Sequence, residues 1–381
     1  MKKIITAALL LIASHGWGQH NDLAFVDAST TFSDTSFSSN GRRAYSSQVI
    51  NFQFASFNLK TLLENKIAAR KIAGYSKKGR PIYLYYFPGT TDKNALVIGG
   101  VHGSELSSIE VVNNLVEKLT GTSRPYYNVI LVPSLFPDNA NTAGACKKDR
   151  IANNKGRYST DGAVDPNRQM PELGKPFYND APVDAHRREI EKENTVLLQL
   201  IQAFAPQRIV TVHAIRDAKN CGVFADPRTD CNGLALGFES DSALVMLMAK
   251  HIVSSGGIAA GNNLLKSPAS RYYLDPPIAK QGTVQKRNLK GSGLPNGLGV
   301  SLGSWASTEV CDEESGYNRG AIRLITMEFP GYKRASEYKT TGEQQWYEKQ
   351  VAAYASSIYT YFLQPFLVEQ TRAFENILAL K

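Results

Sequence analysis

The sequence has little or none of what marks several classes of protein. After its first 13 residues it contains no apolar run near the about 20 residues that a membrane-spanning helix needs, so no membrane span is expected. Its four cysteines include no Cys-x-x-Cys pair, which argues against a zinc site built from thiolates. The helical His-Glu-x-x-His zinc motif is absent as well. Lysine and arginine form only short clusters, so nucleic acid is not an expected partner despite a formal net charge of +9.

The few cysteines still bear on the structure, because an even number in an oxidising compartment permits disulfides. Cys146, Cys221, Cys231 and Cys311 allow three connectivities. Only a short loop separates Cys221 from Cys231, which favours a local disulfide there and leaves Cys146 to pair with Cys311. Buried free thiols remain the alternative.

The amino terminus has the pattern of an export signal. A basic start, Met1–Lys3, precedes the ten-residue apolar run Ile4–Ala13 and then small residues. This pattern predicts a secretory signal peptide over residues 1–18, and the run is too short for a membrane anchor. We therefore expect a periplasmic or secreted protein, with a Ser/Thr-rich leader at 19–50 and a single large domain at 51–381.

Strand and helix patterns alternate along that domain. Period-2 and continuous apolar runs predict strands in RPIYLYYF, NALVIGGV, YNVILVPSL, QRIVTVHAI and AIRLITMEFP. Helical spacing predicts helices around Asn58–Ile72, in SELSSIEVVNNLVEKL, from Ala185 to Phe204, in SDSALVMLMAKHIVSSGG and over a long carboxyl-terminal stretch from Glu343 to Gln370, which Pro365 could break. This alternation predicts an α/β fold, with a mixed, mostly parallel sheet and helices on both faces. Long loops at 137–182, 217–242 and 261–304 are expected to build a site.

Ionisable residues follow the carboxyl ends of three predicted strands. His102 and Glu105 follow ALVIGGV, His213 ends RIVTV, and Glu328 ends IRLITM. Ligands bind at those ends in an open α/β sheet. A lone His213 would more often be a structural histidine, and Glu105 could merely favour the start of a helix. Neither alternative explains why the groups occur together.

Two histidines and a carboxylate are the protein ligands of one type of catalytic zinc site, with a fourth position left for water. His102 at the strand end and Glu105 at the helix start could reach one ion across a turn that Gly103 permits. The other histidines of the mature chain are in less suitable places: His20 near the terminus, His186 on a charged face and His251 within a helix.

Several ordered motifs then resemble one family. IAGYSKKGRPIYLYYF, GGVHGSE, GAVDPNRQMP, TVHA and LITMEFPG occur in that order between about Ala73 and Gly331. Together they resemble the zinc carboxypeptidases of the carboxypeptidase A type. The resemblance implies a carboxypeptidase-like fold and one zinc ion per chain, held by His102, Glu105 and His213. It also implies that Glu328 acts as general base and then general acid.

The same resemblance implies a substrate site. Asn167 and Arg168 would hold a free carboxylate next to the scissile bond, which suits the planar guanidinium of arginine. Arg157 would polarise the scissile carbonyl, with Arg150 as the second choice. The mobile tyrosine of the archetype has no certain counterpart, although Tyr317 is one option.

The segment GLGVSLGSWASTEV, which precedes the glutamate strand, resembles the bacterial murein peptide amidases of the same family. Those enzymes cut the amide between γ-D-glutamate and meso-diaminopimelate. Ser301, Ser304 and Trp305 are therefore candidate pocket residues, although tryptophan is more often in a core.

We therefore expect an exported zinc metallopeptidase that acts on peptidoglycan stem peptides. Its basic charge is compatible with an anionic cell wall. Two alternatives stay open: a digestive carboxypeptidase that removes ordinary C-terminal residues, and a non-catalytic wall-binding protein with a relic zinc site.

Overall fold

The computed structural model describes residues 50–146, 155–158, 164–232, 236, 239–262 and 299–365. Its strands are β1 Ala69–Tyr75, β2 Pro81–Phe87, β3 Asn94–Ile98, β4 Asn128–Val132, β5 Arg208–Ile215, β6 Gly222–Ala225, β7 Gly261–Asn262, β8 Val310–Cys311, β9 Asn318–Arg319 and β10 Arg323–Pro330. Its α-helices are α1 Leu59–Asn65, α2 Leu106–Thr120, α3 Pro137–Ala145, α4 Lys192–Phe204, α5 Glu239–Ser254, α6 Leu302–Ala306 and α7 Thr341–Ser357. Short 3-10 turns cover Pro166–Arg168, Ala218–Asn220 and Ala335–Glu337, and a π-helical turn covers Ile358–Phe362.

Eight of the described strands form one mixed sheet in the order β1-β2-β4-β3-β5-β10-β6-β7. The four central strands β4, β3, β5 and β10 are parallel, while β2 and β6 flank them in antiparallel pairing. A separate pair, β8 and β9, is antiparallel. Because β3 and β5 are neighbours and β10 follows, the carboxyl ends of these three strands meet at one edge of the sheet.

Helices cover both faces of the sheet. On one face, residues of α1 and α4 form a core cluster with alternate residues of the strands, such as Ile82, Leu96 and Ile98. On the other face, α2, α5 and α7 pack against one another and against the central strands. Every residue of β3 is buried, which explains its continuous apolar sequence. The predicted mixed α/β fold with helices on both faces is therefore confirmed.

Two helix predictions need correction. The helix that starts after Asn58 is capped by that side chain as expected, but it ends at Asn65 because Lys66 adopts the left-handed conformation. The chain then extends as β1, paired with β2. The helix predicted from Ala185 begins only at Lys192, because the preceding residues turn back through a bridge between Val183 and Glu189.

Two further differences concern the long loops and the carboxyl end. The predicted loop at 137–182 contains α3, which starts at Pro137, a residue suited to the first position of a helix. The predicted loop at 261–304 contains the start of α6. The carboxyl-terminal helix passes into the π-helical turn and ends before Pro365, as that proline requires.

The predicted cysteine pairing was wrong. Cys231 forms a disulfide with Cys311 across 80 residues of sequence, with their Cα atoms 5.8 Å apart. Cys221 is instead a buried thiol whose Sγ approaches the carbonyl of Ile258. The disulfide joins the segment after β6 to β8.

No described helix is long and apolar enough to cross a membrane. The predicted signal peptide at residues 1–18 lies outside the described residues, as does the predicted leader at 19–50 except for its last residue.

Candidate functional site

Three buried side chains meet at the carboxyl edge of β3 and β5. The Nδ1 atom of His102 lies 2.9 Å from Oε1 of Glu105, and Nδ1 of His213 lies 3.2 Å from Oε2 of the same carboxylate. One ligand atom from each residue falls within 4.8 Å of the others. All three side chains are almost inaccessible to water. The structure therefore brings together the residues that the sequence predicted as metal ligands.

The local backbone explains this convergence. After β3 the chain turns sharply, and the N–H of Glu105 donates to the carbonyl of His102 at 3.0 Å. Gly103 fits against the start of α3, where a Cβ atom would collide with the backbone of Asn139 and Ala140. The N–H of Ala214 in β5 donates to Oε2 of Glu105 at 3.0 Å and fixes that carboxylate beside the strand.

The donor set fits a zinc ion. Two imidazole nitrogens and a carboxylate oxygen, each about 2.0–2.2 Å from a tetrahedral ion, would be about 3.3 Å apart. The distances of 2.9 and 3.2 Å between His102, Glu105 and His213 are close to that spacing. Both histidines present Nδ1 to the shared position. These three residues would therefore hold the metal with small adjustments.

Charge is concentrated in this buried cluster. Burial alone would lower the pKa of His102, but Glu105 and Asp165 raise it to about 9. Burial would raise the pKa of Glu105, yet the two histidines hold it well below its usual range. Burial lowers the pKa of His213. The cluster thus keeps a carboxylate charged inside the protein, which suits a cation site.

Asp165 is a site residue that the sequence reasoning missed. Its Oδ1 atom lies 2.8 Å from Nε2 of His102, on the side of the ring opposite to Glu105. Burial would raise the pKa of Asp165, but His102 and Arg157 lower it overall. An acceptor at Nε2 fixes the ring so that Nδ1 can face the metal. The sequence signal that could have identified Asp165 was its position two residues before Asn167.

Arg157 lies beside the metal cluster. Its Nη1 atom is 2.9 Å from Oε1 of Glu105, and its Nη2 atom is 3.4 Å from Oδ2 of Asp165. The structure therefore places this predicted arginine at the site, where it also contacts the carboxylates. The second choice, Arg150, lies outside the described residues.

Asn167 and Arg168 occupy the 3-10 turn that Asp165 caps. The Oδ1 atom of Asn167 accepts a hydrogen bond from the N–H of Leu302 at 3.0 Å, which ties the turn to the start of α6. The Nη1 atom of Arg168 donates to the carbonyl of Asn167 at 2.6 Å. Its buried Nε atom has no hydrogen-bond partner among the described residues. That free donor suits an incoming anionic group.

The predicted pocket residues of α6 lie in two different environments. Ser301 caps the helix, and its hydroxyl accepts from the N–H of Ser304 at 3.1 Å. Ser304 is half-buried. Trp305 is 1% exposed, and its indole N–H donates to the carbonyl of Lys175 at 3.0 Å. Trp305 therefore packs in the core, and its contact with a substrate stays a prediction.

Glu328 lies on β10 directly opposite His213 in the parallel register of β5 and β10. Side chains at paired positions of parallel strands point to the same face, so Glu328 stands next to the metal cluster. It is half-buried, and burial together with the charge of Glu105 raises its pKa to about 8.

A tyrosine near the site was also missed. Tyr332 follows Gly331, whose N–H donates to Ile215 at 2.8 Å and whose carbonyl accepts from Ser107 at 2.6 Å. Burial raises the pKa of Tyr332, and the charges of Glu105 and Glu328 raise it further. Tyr317 is the tyrosine that was considered from the sequence. Burial raises its pKa, and the charge of Arg319 offsets part of that increase.

The comparisons with known proteins agree with this geometry. The model of the zinc carboxypeptidase family matches residues 59–223, which include all three candidate ligands. Over these residues the chain is similar to the zinc carboxypeptidase family. The match and the metal cluster support a metallopeptidase of the hydrolase class, and zinc is the metal of that family. Glu328 and α6 lie beyond the matched range.

Solved structures and curated proteins add less to this assignment. Murein-tripeptide amidase MpaA from Escherichia coli O157 is 17% identical over 75% of this chain and 92% of that chain, with a TM-score of 0.39. Bovine thrombin-activatable fibrinolysis inhibitor is 10% identical over 83% and 94% of the two chains, with a TM-score of 0.44. No curated protein matches the sequence.

Proposed function

We propose that this protein is an exported zinc metallopeptidase that hydrolyses an amide bond beside a free carboxylate in peptidoglycan stem peptides. The bond proposed is the one between γ-D-glutamate and meso-diaminopimelate. One observation carries the proposal: Asp165 contacts His102 of the metal cluster and also caps the turn that presents Asn167 and Arg168. This double contact supports a substrate-carboxylate position close to the metal position.

Each group has a separate part in the reaction. Zinc, when bound, supplies Lewis acidity and lowers the pKa of a coordinated water to about 7. The carboxylate of Glu328 takes the proton of the attacking water and returns it to the nitrogen of the leaving amine. The guanidinium of Arg157 stabilises the negative charge that develops on the carbonyl oxygen.

Arg168 and Asn167 orient the substrate. The planar guanidinium of Arg168 can hold a carboxylate with two hydrogen bonds, and its Nε atom is buried and available for that purpose. In the proposed substrate this carboxylate belongs to diaminopimelate. Holding it beside the metal cluster places the preceding amide bond at the reacting centre.

Three observations support peptidoglycan as the source of the peptide. The Gly-Ser-Trp segment resembles that of the murein peptide amidases, and its helix α6 is hydrogen-bonded to Asn167. The amino terminus has the pattern of a signal peptide, which would bring the enzyme to the cell wall. The formal net charge of +9 is compatible with an anionic polymer.

The substrate is tested by digesting purified muropeptides and identifying the products by mass spectrometry. We expect release of fragments that begin at diaminopimelate. Peptides with an ordinary C-terminal Phe or Lys serve as the comparison. Faster cleavage of those peptides would show a general carboxypeptidase, and cleavage of neither would favour the non-catalytic alternative.

The base is tested with Glu328→Gln, which keeps the shape of the side chain and removes its basicity. We expect kcat to fall by about 10²–10⁴-fold, the usual contribution of a general base, while the zinc content is unchanged. Glu348→Gln on the exposed face of α7 is the matched control. Normal turnover by the Glu328 variant would contradict the assignment.

A further inference from the structure

A groove with a volume of about 530 Å³ lies far from the metal cluster. Its lining comes from the start of β1, the end of β2 and the connection from α2 towards β4, namely Lys66, Ile67, Ala68, Ala69, Arg70, Tyr85, Phe87, Pro88, Leu119, Thr120, Thr122, Arg124 and Pro125. In the sheet register, Phe87 pairs with Val129 near the amino end of the parallel strand β4. The metal ligands follow the carboxyl ends of β3 and β5, so the groove lies at the opposite edge of the sheet.

The groove is cationic and its charge is uncompensated. Lys66, Arg70 and Arg124 are exposed, and none of the three forms an ion pair with a described residue. Among the described residues that line the groove, none is acidic. Three cations held close together without a carboxylate repel one another, and an anionic ligand would relieve that repulsion.

One of the three cations, Arg70, is stacked against aromatic rings. The guanidinium carbon of Arg70 lies 3.7 Å from the centre of the Tyr83 ring and 5.8 Å from that of Tyr85. Such stacking restricts the guanidinium and leaves its edge free for hydrogen bonds. Across the groove, Nη2 of Arg124 donates to the carbonyl of Lys66 at 3.4 Å and holds the two walls together.

Apolar surface completes the groove. Phe87 and Leu119 form its buried wall, and Ile67 stands beside them with 68% of its surface exposed. Tyr85 is half-buried, so one part of its ring faces the groove. A flat ring next to cations can accept a ligand that has an apolar face and anionic substituents.

We propose that this groove binds the glycan strand of peptidoglycan together with its acidic stem peptides and holds the enzyme on the polymer that carries its peptide substrate. The inference rests on the proposed function for the choice of polymer. A sugar ring of the strand would pack on Tyr85 and the neighbouring apolar wall, while free carboxylates of the attached peptides would meet Lys66, Arg70 and Arg124. The distance from the metal cluster means that this binding leaves hydrolysis of a small peptide unaffected.

The test measures co-sedimentation of the full chain with insoluble, purified peptidoglycan. The groove variant combines Lys66→Asn, Arg70→Gln and Arg124→Gln, with asparagine chosen because residue 66 is left-handed. The control variant, Lys192→Gln with Lys250→Gln and Lys339→Gln, removes the same charge from other exposed positions. Both variants are compared with the wild type for unfolding temperature and for hydrolysis of a soluble muropeptide.

We expect the groove variant to bind peptidoglycan about tenfold more weakly or worse, because three exposed charge pairs of ordinary strength are lost together. The control variant should bind as the wild type does, and soluble-peptide hydrolysis should stay within about twofold in both. Added salt should weaken binding of the wild type. Equal weakening in both variants would overturn the proposal, since only net charge would then matter.

A second variant separates a glycan from an unspecific polyanion. Tyr85→Ala keeps every charge and should weaken binding to peptidoglycan, while polyglutamate should compete poorly with it. Full binding by Tyr85→Ala, or effective competition by polyglutamate, would overturn the glycan assignment. If sedimentation depends on the groove but muropeptides are not hydrolysed, the proposed function is refuted and the proposed binding by the groove is supported. If muropeptides are hydrolysed but the wild type does not sediment with peptidoglycan, the proposed binding is refuted and the proposed function is supported.

Discussion

Asp165 offers a direct test of the zinc site, because it contacts a metal ligand from the side away from the metal. Its Oδ1 atom lies 2.8 Å from Nε2 of His102 and accepts from the N–H of Asn167 at the same distance. Asp165→Asn keeps an oxygen in both contacts, but it removes the charge and replaces Oδ2, which lies 3.4 Å from Nη2 of Arg157. Asp165→Ala removes all three contacts.

The expected size of the effect follows from two estimates that agree. Loss of an outer partner of a metal-bound histidine usually costs about 10–100-fold in metal affinity, which is about 1.4–2.7 kcal/mol. A hydrogen bond to a charged group contributes about 1.5–3 kcal/mol. Since Asp165→Asn retains an acceptor for His102, we expect about a tenfold loss for that variant. The alanine variant should approach a hundredfold loss.

The assay is competition for zinc between metal-free protein and a chromophoric chelator. Asp217→Asn is the matched control, because Asp217 caps the 3-10 turn Ala218–Asn220 through the same contact to the second N–H but is exposed. The control should bind zinc as the wild type does. Zinc affinity of Asp165→Ala within about twofold of the wild type would refute the reasoning, since His102 would then need no partner at Nε2.

The site residues that could be predicted from sequence are those that strand ends place together. His102, His213 and Glu328 each follow a run of buried apolar residues, and parallel neighbours present such positions at one edge. The register of β5 and β10 then sets Glu328 opposite His213. Periodicity and the order of the motifs were enough for this part.

Contacts that depend on the path of a loop could not be predicted in the same way. Asp165 reaches His102 across 63 residues of sequence, and no periodic pattern encodes that approach. The prediction of the disulfide failed for a related reason. The short sequence separation favoured a bond between Cys221 and Cys231, but Cys221 is fully buried immediately before β6, and Cys231 bonds to Cys311. The path of the loops determines which residues form such contacts and disulfides.

Side-chain direction was a further limit. Trp305 and Ser304 are neighbours in a motif, yet Trp305 lies in the core and Ser304 is half-buried. Within one helical turn, adjacent residues point about 100° apart, so a motif does not tell which member faces the ligand. The contact between Asn167 and Leu302 could be seen only in three dimensions.

Three other perturbations test separate parts of the structure. Gly299→Ala would place a Cβ atom against the carbonyl oxygen of Arg168. The control is Gly316→Ala, because Gly316 also has a positive φ but its added Cβ atom would meet open space. We expect a higher KM for carboxylate-bearing peptides in Gly299→Ala alone. Burial would raise the pKa of Asp241, but two neighbouring arginines lower it overall, so its charge stabilises the fold above about pH 4 and this stability is lost as the pH falls through the lowered pKa. In urea titrations, Asp241→Asn should be less stable near neutral pH, and its stability should change less on acidification; parallel curves for both proteins would contradict this. Chelation of zinc should lower the unfolding temperature of the wild type, because free zinc at about a thousand times its Kd stabilises by about 4 kcal/mol. The chelator should leave His213→Ala unchanged, since a protein that has lost a ligand has no bound ion to lose, and an equal shift in both proteins would place the stabilising metal elsewhere.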